Sequence, residues 1–238
     1  MASKLEHWRA VEGFDGLWET VVWARGGKWP LRAVALLLDG GEIVVQSPPT
    51  RVSDALWQEL ETLGRPTFAL APNHFHNLGV PKMLARYPEA KVVSSDVARP
   101  RLEKKLSCAI DGLEPLRERL RDGCELLELP GTRNGEVWLA VDGAAGARAW
   151  VVCDAFFNVS EHPAGLFGVM CRLTRTSRGL QIGRTWNLLA LRDKRAYGAW
   201  VDLELDRAPP TTLVMSHGEI LSAPDLGDTL RALCHAHV

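Results

Sequence analysis

His74 and His76 stand two residues apart after an apolar run, in Phe68-Ala-Leu-Ala-Pro-Asn-His-Phe-His-Asn-Leu-Gly79. On extended backbone such a pair points to one side with Cα atoms about 6–7 Å apart, and two imidazoles so placed can chelate one tetrahedral ion. Zinc takes nitrogen at about 2.0–2.1 Å and three or four protein ligands in all, so the pair needs partners from elsewhere. Two other apolar runs end in suitable groups. Trp150-Val-Val-Cys-Asp-Ala-Phe156 brings Asp154 to a strand end, where an unpaired carboxylate is costly to bury and implies a cation, donor groups or solvent. Leu213-Val-Met-Ser-His-Gly218 does the same for His217. Cys153, one residue before Asp154, falls on the opposite face of that strand and reads as packing. The same residues also have a use without metal, in which His74, His76 and His217 hydrogen-bond Asp154 in a vestigial cleft.

Strands and helices have to position these groups, and the chain alternates them. Leu17 to Trp23, Leu31 to Leu38 and Glu42 to Gln46 read as a meander, turning at Gly26-Gly27 and Asp39-Gly40-Gly41. Ser53-Asp54 caps a helix in which Ala55, Leu56, Leu60 and Leu63 recur at helical spacing until Gly64 and Pro66 stop it. A strand at Thr67 to Leu70, a helix around Pro81 to Tyr87 and a strand at Lys91 to Ser94 follow. The charged stretch Arg99 to Arg121 is expected to be helical with a solvated face, interrupted at Pro100 and Pro115. Strands return at Glu125 to Leu129, Glu136 to Val141 and Arg148 to Cys153. Gly165 to Tyr197 reads as mixed helix and loop, Thr212 to Met215 as a strand and Asp225 to Ala236 as a closing helix. The expectation is one two-sheet domain over 1–238 with helices outside.

The composition suits that architecture. A chain of 238 residues with 46% apolar and 24% charged side chains and 9 Trp is neither disordered nor fibrous. Lys plus Arg is 28 against 29 Asp plus Glu, which gives no electrostatic reason to bind nucleic acid or an anionic membrane. The 5 Cys form no Cys-x-x-Cys pair, against both a disulfide framework and a cysteine-rich zinc knot. Met1 to Gly13 lacks the apolar stretch of a signal peptide, and Ala33 to Leu38 is far short of the roughly 20 residues that span a bilayer. A cytoplasmic protein with a small-molecule substrate or ligand is expected, and a homo-oligomer stays open.

In order along most of the chain, these motifs resemble the metallo-β-lactamase superfamily. Its pattern is His-x-His-x-Asp-His after a strand, a Pro-Gly-His turn, an Asp at a strand end and a final His before Gly. This sequence has both leading histidines, but Leu78 and Gly79 stand where the family has Asp and His, and Pro130-Gly131-Thr132 presents Thr132 in place of the turn histidine. Asp154 matches the bridging aspartate and His217 the last histidine. The resemblance implies an α+β, four-layer αββα sandwich and a reduced mononuclear site of His74, His76, Asp154 and His217. Zinc comes ahead of iron or manganese as the divalent ion, and a metal-bound water serves as nucleophile for ester, thioester, lactam or phosphoester hydrolysis. Asp154 and His217 carry the catalytic roles, His217 completing the shell or shuttling a proton. The missing ligands imply the alternative of a non-catalytic binding or scaffolding member of the fold without metal.

Other groups have two readings each. His162 is a replacement ligand or a surface residue, and Thr132 and Asn134 face a substrate or serve their turn. Arg172, Arg175, Arg178 and Arg184 receive an anion or are solvated. Trp18, Trp23 and Trp29 line a pocket, or belong to the core or an interface. His235 and His237 are expected to be exposed in the tail.

Overall fold

The structure is a computed structural model that describes residues 7–23, 30–159 and 179–238. One sheet has the order β1 (Arg9–Ala10), β2 (Leu17–Trp23), β3 (Pro30–Leu37), β4 (Glu42–Gln46), β5 (Arg65–Leu70) and β6 (Lys91–Val93). Its first four strands pair antiparallel, whereas β4, β5 and β6 run parallel. Parallel neighbours need a crossover, and α1 (Asp54–Leu63) and α2 (Val80–Arg86) supply it. Ser53 sits at the N-cap of α1 without a side-chain capping bond, contrary to the capping role expected of it. Asp54 is the acidic residue of that first turn, where the helix dipole favours it.

The second sheet has the order β13 (Leu221–Ser222), β12 (Thr212–Met215), β9 (Arg148–Val152), β8 (Val137–Asp142) and β7 (Cys124–Glu128). Its strands β7, β8 and β9 are antiparallel, and β12 lies parallel to β9. A separate antiparallel pair joins β10 (Phe156–Val159) to β11 (Gly179–Ile182).

Alternation along the strands builds the layers. Val34 and Leu36 of β3 meet Val137, Leu139 and Val141 of β8 in the core between the sheets. Ala33 and Ala35 face the other way, against Leu56, Trp57 and Leu60 of α1 and Met83 of α2. Trp138 and Ala140 of β8 pack outward against Trp186 of α5 (Arg184–Leu189), Tyr197 and Val201 of α6 (Lys194–Arg207) and Leu230 of α7 (Leu226–His237). The result is the four-layer αββα sandwich.

The segment 99–121 departs from its expected helix. Only α3 (Arg99–Leu102) and α4 (Glu114–Arg117) are helical there. Pro100 and Pro115 lie in their first turns, where the missing N–H costs nothing, so they start helices and do not break one. Between them Asp111 bridges to Val93, its N–H bonded to Val92 O at 2.8 Å, and pairing with the sheet edge forces extended backbone. Among the described residues no helix is long and apolar enough to cross a membrane. His162, Arg172, Arg175, Arg178, Trp29 and the Trp23 side chain lie outside the described residues, while Arg184 is exposed at the start of α5 and Trp18 packs on the core.

Candidate metal centre

The loop after β5 is shaped by Asn73, a residue the sequence reading passed over. Its Oδ1 accepts the N–H of Phe75 at 2.8 Å and of His76 at 3.2 Å. That Asx-type turn bends the backbone over 72–76, so the extended His-x-His geometry expected there does not form. The two imidazoles consequently part. His74 Nδ1 meets Asn134 O at 3.2 Å, and His74 is not among the residues lining the cavity described below. His76 Nε2 instead reaches Asp154 Oδ1 at 3.1 Å.

His217 comes to the same oxygen from the loop after β12, its Nε2 3.3 Å from Asp154 Oδ1. The two rings stand edge to face with centroids 5.3 Å apart, and Phe157 stacks on His217 at 5.1 Å and 5°. Each ring is also held from behind. Ser47 Oγ lies 3.1 Å from His76 Nδ1, and the Pro30 backbone hydrogen-bonds His217. Proline has no N–H, so its carbonyl must accept from the imidazole. Such outer partners fix the tautomer and aim the other nitrogen inward.

Arg32 on β3 sets the position of the His217 loop. Its backbone N–H donates to Ser216 O at 2.9 Å, and its Nη1 donates to Met215 O and, at 2.9 Å, to Gly218 O. Buried Glu19 on β2 pairs with Arg32 Nε and with Arg9. Gly218 has φ +102, and a Cβ there would lie 1.9 Å from Asn158 O, so only glycine lets the loop pass β10.

Asp154 sits in a loop wound around Glu136. Glu136 Oε1 accepts N–H groups from Cys153, Asp154 and Ala155 at 3.0–3.2 Å and from the Trp138 indole at 2.9 Å. Because β9 ends at Val152, strand alternation no longer governs Cys153, and the expectation that it points away from the site is overturned. His76, Cys153 and Asp154 present ligand atoms within 4.8 Å of one another. Asn73 Nδ2 donates to Asp154 Oδ2 at 2.8 Å and to Cys153 Sγ at 3.3 Å, tying the two loops together. Glu136 carries the signal by which Asp154 was found in the sequence, an acid at one end of an apolar strand.

The electrostatics follow from burial and this pairing. Burial opposes a charge on Asp154, but His76 and His217 outweigh it and hold the carboxyl well below its ordinary value. His76 is raised because Asp154 overcomes its burial, whereas burial lowers His217. Burial, with Arg101 and Lys105 nearby, also lowers His74. Burial, Asp154 and Glu136 push the Cys153 thiol well up. The His76 and His217 imidazoles both reach Asp154 Oδ1, and imidazole and carboxylate are the donor types of a three-ligand divalent site with an open position.

The remaining candidates serve structure. Thr132 Oγ1 donates to Leu129 O at 3.1 Å and Asn134 Nδ2 to Glu136 Oε2 at 3.2 Å, so both support their turn. Exposed His235 pairs with Asp202 at 3.0 Å, and His237 O accepts from Asn187. Gly79, where the resemblance has a ligand, leaves no room for one, since a Cβ would lie 1.7 Å from Pro48 O.

No protein-family model and no curated protein matches the sequence. Solved structures do. The DIM-1 metallo-β-lactamase aligns with 98% of this chain and 99% of its own at a TM-score of 0.62 and 9% identity. FIM-1 from Pseudomonas aeruginosa, in its mono-zinc form, aligns over 96% and 94% at 0.58 and 12%. An enzyme from Pontibacter korlensis aligns over 96% and 99% at 0.56 and 12%. At such identities the likeness concerns architecture, and the chain has the metallo-β-lactamase fold.

Proposed function

We propose that the chain is a metal-dependent hydrolase with one divalent ion, zinc ahead of iron or manganese, held by His76, Asp154 and His217. The observation that carries this reading is the convergence of two imidazole Nε2 atoms on Asp154 Oδ1 at 3.1 and 3.3 Å. Cys153 lies within reach as a further donor, while His74 is committed to the Asn134 carbonyl. When bound, the ion supplies Lewis acidity and a water activated near neutral pH. Asp154 stays ionised and anchors His76 at 3.1 Å. His217, kept neutral by burial, completes the donor set or moves a proton at Nε2. Phe157, stacked on His217, holds that ring against Asp154.

A second reading, a non-catalytic binding member of the fold, is favoured by the closure of the Gly79 position, which removes a ligand that a second ion would need. Metal content decides between them. Tag-free protein purified without chelator is expected to carry one ion per chain, lost in His76→Ala and kept in His74→Ala. Near-zero zinc, iron and manganese that persist after metal addition would sink the proposal. Hydrolysis of chromogenic esters unaffected by Asp154→Ala would remove the mechanism while leaving the metal.

A further inference from the structure

The cavity over His76, Asp154 and His217 has a volume of about 390 Å³, within the roughly 300–1,000 Å³ of small-molecule sites. Its walls are built mainly from Leu31, Phe75, Leu78, Phe157, Trp186 and Leu189. Three of these project into solvent at its mouth, Leu78 at 73% exposure, Leu189 at 69% and Phe75 at 56%. They come from opposite directions in the chain, the loop after β5 and helix α5, yet meet around one opening. Large apolar side chains left exposed around a concave site mark a surface that is covered in use.

The polar lining is equally informative. Besides the site residues it consists of the hydroxyl residues Ser47, Thr50 and Thr185, and among the described residues no Lys or Arg lines the cavity. The nearby cation Lys105 lies 5.5 Å over the Phe75 ring and donates to His74 O at 2.7 Å. The described wall beyond the site thus offers a ligand apolar surface and hydroxyl groups, and no ion-pair partner for a charge held away from the site itself. An uncharged aliphatic group would meet leucine, phenylalanine and tryptophan.

We infer that this cavity takes the aliphatic acyl chain of a neutral carboxylic ester, seating the chain between Leu78 and Leu189 and delivering its carbonyl to His76 and His217. The inference rests on the hydrolytic reading above and narrows its substrate class. Water adds to the carbonyl carbon, the acyl–oxygen bond breaks, and the products are a carboxylic acid and an alcohol, with no change of oxidation state.

Two measurements test it separately from that reading. With zinc-loaded protein, kcat/KM for p-nitrophenyl esters from butanoate to octanoate is expected to rise about fourfold per methylene. All of them should exceed bis(p-nitrophenyl) phosphate. A flat or falling series, or faster phosphodiester cleavage, overturns the inference even if hydrolysis is confirmed. With metal-free protein, neutral octanamide is expected to shift the indole N–H resonance of Trp186 and the amides of Leu78 and Leu189, while inorganic phosphate leaves them unmoved. Leu78→Asp and Leu189→Asp, both at exposed positions that folding tolerates, should each weaken octanamide binding at least tenfold. Octanamide binding without hydrolysis would retire the enzyme reading and keep the apolar acyl-chain site, and absence of octanamide binding overturns the site itself.

Discussion

Glu136 stands directly behind Asp154, its Oε1 accepting the Asp154 N–H at 3.0 Å and the flanking N–H groups of Cys153 and Ala155 at 3.2 and 3.1 Å. Three consecutive backbone donors therefore depend on one buried carboxylate. Leaving a buried donor unpaired costs about 1–3 kcal/mol, so Glu136→Ala is expected to lose about 3 kcal/mol or more in urea unfolding. It should also abolish metal binding, although every proposed ligand remains. A variant as stable as the unmodified chain, or one that still binds metal with unchanged affinity, would show that the loop holds its shape without Glu136.

The same carboxyl has a pH signature. Burial, reinforced by the Asp154 charge, pushes Glu136 from 4.5 up to about 7. Between those values the folded protein retains a proton that the unfolded chain has released. Its contribution is fully present below the unfolded value and is lost as pH rises toward 7. Glu136→Gln removes this titration, so the metal-free variant should gain on the unmodified protein between pH 5 and 7.5, by up to about 3 kcal/mol. Denaturation series run in EDTA at several pH values read the difference, and parallel stability profiles would refute it.

Arg32 offers a test of how the His217 loop is held. It bonds the carbonyls of Met215, Ser216 and Gly218 while its guanidinium pairs with buried Glu19. Removing one partner of a buried ion pair costs about 3–5 kcal/mol. Arg32→Met should approach that cost, tempered by the second partner Arg9. Glu19→Gln/Arg32→Met should recover part of the stability, but not the metal affinity, because the Met215 and Gly218 carbonyls stay without the guanidinium while only the backbone bond to Ser216 O survives. Equal recovery of both would mean that Arg32 serves the core and not the loop.

The sheets were legible because their strands are buried on both faces and read as apolar runs bounded by turns. Asp154 and His217 were legible for a related reason, since each is a chemistry-bearing residue at the end of such a run. The geometry of His74 and His76 was not, because it depends on the Asn73 side chain capturing two backbone N–H groups, a contact that spacing alone does not encode. Strand β10 follows Asp154 so closely, and pairs with the weakly patterned Gly179–Ile182, that its sequence carries little signal. Helix α6 buries only the narrow stripe Tyr197, Val201 and Leu205 beneath a charged surface. In 99–121, pairing of Asp111 with the sheet edge overrode local helical preference.

Gly79 limits what substitution can restore at the position where the resemblance has a histidine ligand. Its φ of −88° is open to any residue, so glycine is required there by space alone. A Cβ would lie 1.7 Å from Pro48 O and 2.4 Å from Pro48 C, and backbone atoms cannot swing aside as a side chain would. Overpacking commonly costs about 1–3 kcal/mol, and a clash with main chain puts Gly79→Ala at or above the top of that range. Gly79→His should therefore yield unfolded protein and no second ion, whereas Leu78→Asp, at the exposed neighbouring position, should fold with unchanged stability. A folded Gly79→His protein binding two ions per chain would refute this account. Unfolded Gly79→His alongside a stable Leu78→Asp would tie the need for glycine at this position to the path of the Pro48 backbone.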